Sequence, residues 1–234
     1  MNKLLITAHI LVKNEEIFIK DSIMSVLPFV NKIIIFDTGS IDNTIKRIKE
    51  IKSKKIIFYK KIANTPKDLT NLRNKMIQLT KTKYFLIVDG DEIYSQIELK
   101  EVIHELKNNT SSFYRITLKR ADFINSRLLR SRITQIGKIF RTDGAKFVQD
   151  YPYEKVISSK SKNSIHLGDQ LMIYHYCYFK RSKNDNTKIR YWRSLPFPIV
   201  IGAETANLAK SNLLIDLLYL PILNIISIIQ KSKA

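Results

Sequence analysis

The sequence predicts an α/β fold: a mostly parallel sheet flanked by helices, then a mixed β region and a C-terminal helical tail. Three observations predict it. Apolar, β-branched runs alternate four times with helix-spaced runs over the first hundred residues, a pattern that feeds a parallel sheet with helices on both faces. The second half changes to short strand-like runs between polar turns. The end of the chain is basic and then strongly apolar.

Leu4 to Val12 reads as a buried first strand. Asn14 is placed to cap a helix starting at Glu15, with acidic residues in its first turn. Ile17, Ile23, Met24 and Leu27 follow helical spacing, and Pro28 ends the run. Lys32 to Phe36 is a second strand, Asp37-Thr38-Gly39-Ser40 a sharp loop, and Ser40 or Asp42 the cap of a helix through about Ile51. Lys55 to Tyr59 is a third strand. Asp68 opens a helix through Leu79 with Leu69, Leu72, Met76 and Leu79 on one face. Tyr84 to Val88 is a fourth strand running into Asp89-Gly90-Asp91-Glu92, and another helix covers Ile97 to Lys107. Beyond it, Ser112–Lys119, Gln135–Arg141 and Gln170–Tyr176 read as strands. The organisation is therefore an α/β half over 1–110, a second half of the same domain over 111–180, and a helical tail over 181–234.

The 234 residues, 44% of them apolar, are enough for one substantial core and exclude large-scale disorder. Cys177 is the single cysteine, which excludes an intrachain disulfide and a Cys-based zinc site and suits a reducing compartment. The N-terminal apolar run lacks a small-residue cleavage site and leads straight into Lys13-Asn14-Glu15-Glu16, so it reads as a core strand, not a signal peptide. The expected location is cytoplasmic. The apolar tail 213–229 is interrupted by Asp216, Pro221 and Asn224 and is too broken for a membrane span. It reads as an interfacial helix on an anionic membrane surface, which would hold the protein at the inner face, or as a helix packed internally or in a dimer.

The strongest chemical signal is Asp89-Gly90-Asp91 directly after an apolar strand. Two carboxylates there can divide work in a crevice, one on a ribose hydroxyl and the other on a hard divalent cation. An isolated Asp-x-Asp is as readily a solvated turn. Asp37 also follows a predicted parallel strand, and Gly39 allows the chain to turn tightly there. Ligands of open α/β sheets sit at these carboxyl ends, so Asp37 and Asp89 would face one cleft, joined by Asn14-Glu15-Glu16.

The series Val12-Lys13-Asn14-Glu15-Glu16, Phe36-Asp37-Thr38-Gly39-Ser40-x-Asp42-x-Thr44, Leu72-Arg73-Asn74 and Val88-Asp89-Gly90-Asp91-Glu92 resembles the family 2 glycosyltransferases of GT-A (Rossmann-like) fold. Order and spacing match across residues 3 to 92. The resemblance is to small bacterial enzymes of cell-surface polysaccharide and lipopolysaccharide assembly. It implies that Glu15 and Asp37 contact the donor's base and ribose, that Arg73 and Asn74 line the nucleotide side, that Asp89 meets ribose or metal, and that Asp91 meets Mn²⁺ or Mg²⁺. It also implies a nucleotide-sugar donor, commonly a UDP-sugar, and a glycan or lipid-linked acceptor.

The second half matches less closely. Gly137-Lys138-Ile139-Phe140-Arg141 followed by Tyr151-Pro152-Tyr153-Glu154 resembles the family's acceptor-side stretch, with Tyr153 where a histidine often stands. Glu154 is the candidate base and Asp150 its rival. His175, between Tyr174 and Tyr176, is placed to complete the cation's shell or to donate to phosphate, or else is a core histidine. His166 is less well placed; His9 and His104 read as structural. Arg181, Lys183, Lys188, Arg190 and Arg193 suit a diphosphate or a solvated basic helix.

The implied reaction is an inverting displacement at the anomeric carbon, with a carboxylate base and a metal-stabilised nucleoside-diphosphate leaving group. The formal charge of +19 favours anionic partners: the nucleotide-sugar, anionic lipid or nucleic acid. An AT-rich coding bias supplies lysine just as readily. Two rivals remain. A nucleotidyltransferase using the same acidic pair should carry a Gly-rich, Lys-ended loop, and Lys13-Asn14-Glu15 is not one. A nucleic-acid-binding module would need aromatic platforms beside arginine, for which Tyr174, Tyr176, Tyr178 and Phe179 near Arg181 offer only a faint match.

Overall fold

The structure is a computed structural model that describes residues 5–108, 113–124, 127–151, 153–167 and 173–176. Two compact units divide the chain: Met1–Ala121 with Ser131–His175, and Asp122–Arg130 with Tyr176–Ala234. The site lies in the first unit. The apolar tail at 213–229, the basic residues from Arg181 to Arg193, and Cys177 fall outside the described residues. Among the described residues, no helix is long and apolar enough to cross a membrane.

In chain order the elements are β1 (Ile6–Val12), α1 (Ile19–Val26), β2 (Lys32–Asp37), α2 (Thr44–Glu50), β3 (Ile56–Lys60), α3 (Pro66–Leu79), β4 (Tyr84–Asp89), β5 (Glu92–Tyr94), α4 (Gln96–Asn108), β6 (Arg115–Ile124), β7 (Arg127–Arg141), β8 (Ala145–Val148), β9 (Lys155–Ser158), β10 (Ser164–His166) and β11 (Ile173–His175). The first four strands are parallel and ordered β3-β2-β1-β4. The sheet continues through β7, antiparallel to β4, and then β6, β11 and β5, with β10 beside β6. β8 and β9 form a separate antiparallel ribbon.

β1 is buried at all but one of its positions, as a strand covered on both faces must be. One face presents Ile6, Ala8, Ile10 and Val12, with Ile33, Ile35, Leu86 and Val88, to Ile23 and Val26 of α1 and to Leu99, Val102 and Leu106 of α4. On the other face, Ile34 and Phe36 meet Met76 of α3, while Phe85 and Ile87 meet Phe140, Phe147 and Val156. The register fixes function. Val12 pairs with Asp37 and Leu11 with Asp89. The two acidic positions therefore emerge at the same sheet end, on either side of β1, roughly 10 Å apart at two strand spacings.

The parallel half follows the prediction with shifted ends. Asn14 does not cap α1, which starts at Ile19. It adopts a positive φ of 56°, and its Oδ1 accepts from the Ile41 amide at 2.9 Å, so it ties two loops together. α3 begins at Pro66, with Thr65 and Asp68 forming a reciprocal capping box. Its buried residues are Thr70, Arg73 and Met76, and Leu79 is exposed; the predicted leucine face is rotated because α3 also docks the β8–β9 ribbon. Strands β5, β8, β9 and β10 had no prediction. They are three or four residues long, too short to show a period.

His9 is structural. It is buried, stacks on Phe85 at 4.8 Å, and its Nε2 lies 2.6 Å from Thr80 Oγ1. Burial, helped by the Arg73 charge, pushes its pKa down to about 3 from 6.5. The folded protein thus keeps His9 neutral where the unfolded chain protonates it. That contribution is complete above pH 6.5 and is lost as pH falls toward 3, at about 1.4 kcal/mol per pH unit. Urea denaturation as a function of pH should show this acid slope in the wild type and a shallower one in His9→Gln. Identical slopes would contradict the assignment.

Candidate active site

The loops after β1 and β2 are clasped by side chains. The Asn14 amide donates to Ser40 Oγ at 2.9 Å, the Glu15 amide to Thr44 Oγ1 at 2.7 Å and the Glu16 amide to Asp42 Oδ2 at 3.2 Å. Thr44 donates from its amide and hydroxyl to Asp42 Oδ1. Ser40-x-Asp42-x-Thr44 is therefore a buckle between two loops, which explains its spacing better than helix capping does. Asp37, 2% exposed, accepts from the Gly39 and Ser40 amides through Oδ1, both at 3.1 Å. Gly39 makes that turn possible with a φ of 105°. Asp37 Oδ2 is buried and has no hydrogen-bond partner among the described residues.

Gly90 lets the end of β4 press on this buckle. A Cβ there would lie 2.9 Å from both Glu15 Cγ and Val12 Cγ2. Glu15 is buried against it. Asp89 is anchored by its backbone: its carbonyl accepts from Ser22 Oγ at 3.0 Å and its amide donates to Glu92 Oε2 at 3.2 Å. Its side chain faces two cations. Lys138 Nζ donates to Oδ2 at 2.8 Å, and Arg73 Nη2 lies 3.6 Å from Oδ1. Burial alone would raise the Asp89 pKa. The Lys138 ammonium and the Arg73 guanidinium outweigh that and hold the carboxyl well below the usual carboxylate range.

Lys138, itself buried, also donates to Glu92 Oε2 at 2.6 Å. Burial alone would lower its pKa; Asp89 and Glu92 raise it above the ordinary lysine value. Glu92 is fully buried, and Arg120 Nη1 stands 3.6 Å from its Oε1.

α3 supplies the opposite wall. Thr70 Oγ1 donates to the Gln149 carbonyl at 2.9 Å. Asn74 grips the Phe147 backbone twice, donating to its carbonyl at 3.0 Å and accepting from its amide at 2.8 Å. Between them, Arg73 stacks over the Phe147 ring at 5.6 Å and donates from Nε to Glu154 Oε1 at 3.1 Å. Glu154 Oε2 is buried without a hydrogen-bond partner among the described residues. Asp150 instead sits exposed at the turn of the ribbon, its carbonyl accepting from the Tyr153 amide. Past Gly90, Asp91 is 3% exposed, and His175 Nε2 approaches its Oδ1 at 3.7 Å. The pairing of β11 with β5, His175 opposite Glu92, brings them together.

The structure thus links the predicted residues in sequence: Glu15 to Gly90, Asp89 to Arg73, Arg73 to Glu154, and Asp91 to His175. Asn74 is engaged with the ribbon backbone rather than open to a ligand. Asp150 has no part in these contacts. Glu92, Lys138 and Arg120 had no predicted role. Glu92 and Lys138 stand inside the quoted motifs, but their contacts join residues 46 and 49 apart, which no local spacing shows.

A model of glycosyl transferase family 2 matches residues 7–188. The chain belongs to glycosyl transferase family 2. The SPbeta prophage-derived glycosyltransferase SunS of Bacillus subtilis (strain 168) is 26% identical over 185 residues, covering 79% of this chain and 42% of the relative. Glycosyltransferase SunS of Bacillus phage SPbeta matches equally. This family 2 chain therefore spans less than half the length of those relatives. Among solved structures, S. aureus TarS 1-349 in complex with UDP-GlcNAc aligns with a TM-score of 0.56 at 16% identity, over 74% of this chain and 58% of that one. TarS 1-349 without a named ligand gives 0.54 at 15%, over 74% and 60%. The likeness establishes the GT-A fold for this family 2 member.

The double grip of Asn74 on Phe147 predicts that Asn74→Ala lowers stability by about 1–3 kcal/mol, read as a shifted urea midpoint. An unchanged midpoint would mean the ribbon is held elsewhere.

Proposed function

We propose that this chain is a metal-dependent, inverting glycosyltransferase that moves a sugar from a nucleotide-diphosphate donor, a UDP-sugar before others, to a hydroxyl of a glycan or lipid-linked acceptor. The observation that carries this reading is the chain of contacts from Asp89 through Arg73 to Glu154, with Asp91 and His175 alongside. It links the residues read as donor ligands to Glu154, whose Oε2 has no hydrogen-bond partner among the described residues. The structure of TarS in complex with UDP-GlcNAc supports the uridine preference.

Asp37 Oδ2, buried and without a partner among the described residues, suits an N–H of the donor's base, with Glu15 as the second contact. Asp89, fixed on its Oδ2 side by Lys138, offers Oδ1 to a ribose hydroxyl. Arg73, next to Oδ1, adds positive charge on the nucleotide side. Asp91 and His175 offer a carboxylate oxygen and an imidazole nitrogen, a donor set that suits Mn²⁺ and also accepts Mg²⁺. Among the described residues no three His, Cys, Asp or Glu side chains gather into a metal cluster, so the diphosphate itself would supply further oxygens. Bound there, the cation would neutralise charge on the departing nucleoside diphosphate.

Glu154 is the proposed catalytic residue. Arg73 holds its Oε1, leaving Oε2 to take the acceptor hydroxyl proton. The acceptor oxygen forms its bond to the anomeric carbon as the bond to the diphosphate breaks, the leaving group departs with the electron pair, and one displacement inverts the centre. Asp150, exposed on its turn, is the weaker candidate. A cytoplasmic enzyme peripheral to the inner membrane face fits a lipid-linked acceptor, with residues 213–229 as the proposed contact.

Calorimetric titration with UDP-, GDP- and CDP-sugars, with and without Mn²⁺, tests the reading. Metal-dependent binding of a UDP-sugar, abolished by Asp91→Asn, is expected; equal binding by that variant removes the central assignment. Glu154→Gln should lower kcat by about 10²–10⁴ with donor KM little changed, while Asp150→Asn stays within a few-fold. The reverse ranking would transfer the base to Asp150.

A further inference from the structure

We propose that Lys138, braced on Glu92, is a positioning residue that decides which oxygen of Asp89 faces the donor. The inference rests on the reading of Asp89 as a donor ligand and adds a requirement to it.

A carboxylate on a strand end can rotate, and its two oxygens are equivalent until something distinguishes them. Here the distinction is built in. Lys138 Nζ holds Asp89 Oδ2 at 2.8 Å and Glu92 Oε2 at 2.6 Å. The same Glu92 Oε2 accepts from the Asp89 amide at 3.2 Å. Glu92 thus grips Asp89 directly through its backbone and indirectly through the lysine. Lys138 side-chain exposure is 3% and that of Glu92 is 0%, against 33% for Asp89. The clamp lies inside and the clamped group is partly open to solvent.

The packing keeps the clamp rigid. Lys138 is carried by β7, whose next residues, Ile139 and Phe140, pair with Leu86 and Phe85 of β4. The ammonium therefore comes from the strand next to the one that carries Asp89. Arg120 Nη1 stands 3.6 Å from the other oxygen of Glu92, near enough to balance its charge though not to hydrogen-bond it. With Oδ2 taken, only Oδ1 remains to meet a ligand, beside the Arg73 guanidinium at 3.6 Å. A carboxylate so presented accepts a hydroxyl proton. It is poorly placed to chelate a cation through both oxygens.

Lys138 also neutralises Glu92, so a plain Lys138→Met variant mixes two effects and can fail to fold. The double variant Glu92→Gln/Lys138→Met separates them. It removes the buried charge with its partner, and the glutamine oxygen still accepts from the Asp89 amide, but Asp89 Oδ2 is released. Lys138→Arg supplies a donor of the same charge. The probes are UDP and 2′,3′-dideoxy-UDP, each with Mn²⁺, measured by calorimetry on the full chain beside a thermal melt. The wild type should prefer UDP by about tenfold to a hundredfold, the value of a hydrogen bond to a charged group. The double variant should melt near the wild type yet bind the two nucleotides alike, and Lys138→Arg should recover part of the preference. A well-folded double variant that keeps the full preference overturns this inference and leaves the transferase reading standing. A wild type that binds neither nucleotide overturns both.

Discussion

Buried like charge is the constraint on which this site depends. Asp89, Asp91, Glu92 and Glu154 come together where a parallel sheet ends, and carboxylates do not lose water at close quarters unless cations are buried with them. Lys138 lies between Asp89 and Glu92, Arg73 between Asp89 and Glu154, and Arg120 beyond Glu92. Each cation touches an anion from a different element, so the charge pattern also fixes how β4, β5, β7, α3 and the β8–β9 ribbon meet. Removing one member of such a set costs about 3–5 kcal/mol in general, because the survivor stays buried and unpaired. The arrangement therefore locks geometry more than it adds net stability.

Two carboxylate oxygens stand apart from this compensation. Among the described residues Asp37 Oδ2 and Glu154 Oε2 are buried without hydrogen-bond partners; Glu92 Oε1 also lacks one but has the Arg120 guanidinium 3.6 Å away. Asp37 lies at the end of β2 and Glu154 just before β9 of the ribbon docked on α3. Folding supplies everything around them, through Asn74 on Phe147, Thr70 on Gln149 and the loop buckle at Asp42 and Thr44.

The parallel half was legible in the sequence because its strands are apolar throughout and its acidic loop tips follow them at once. Asp37, Asp89 and Asp91 could be placed at one sheet end from order alone. Asn14 misled, since a cap and a loop clamp use the same residue type and only the positive φ and the contact with Ile41 distinguish them. Asn74 was read with Arg73 as nucleotide-lining, yet successive helix positions point in different directions: Arg73 reaches Glu154 and Asp89, whereas Asn74 meets the Phe147 backbone. Lys138 and Glu92 were visible only as letters within motifs. Their meaning arises from an antiparallel return strand, and no spacing rule anticipates a pair formed across 46 residues. A strand of three residues such as β5 carries no period, although its pairing with the predicted β11 is what brings His175 to Asp91.

The proposed site would hold donor base, ribose and cation against Asp37, Asp89 and the Asp91–His175 pair, with Glu154 opposite. A crystal structure of the protein grown with UDP and Mn²⁺ tests it most directly. The expected result is the uracil against Asp37, a ribose hydroxyl on Asp89 Oδ1, and anomalous manganese density beside Asp91 and His175. Nucleotide bound on another surface, with Asp37 and Asp89 untouched, would contradict it.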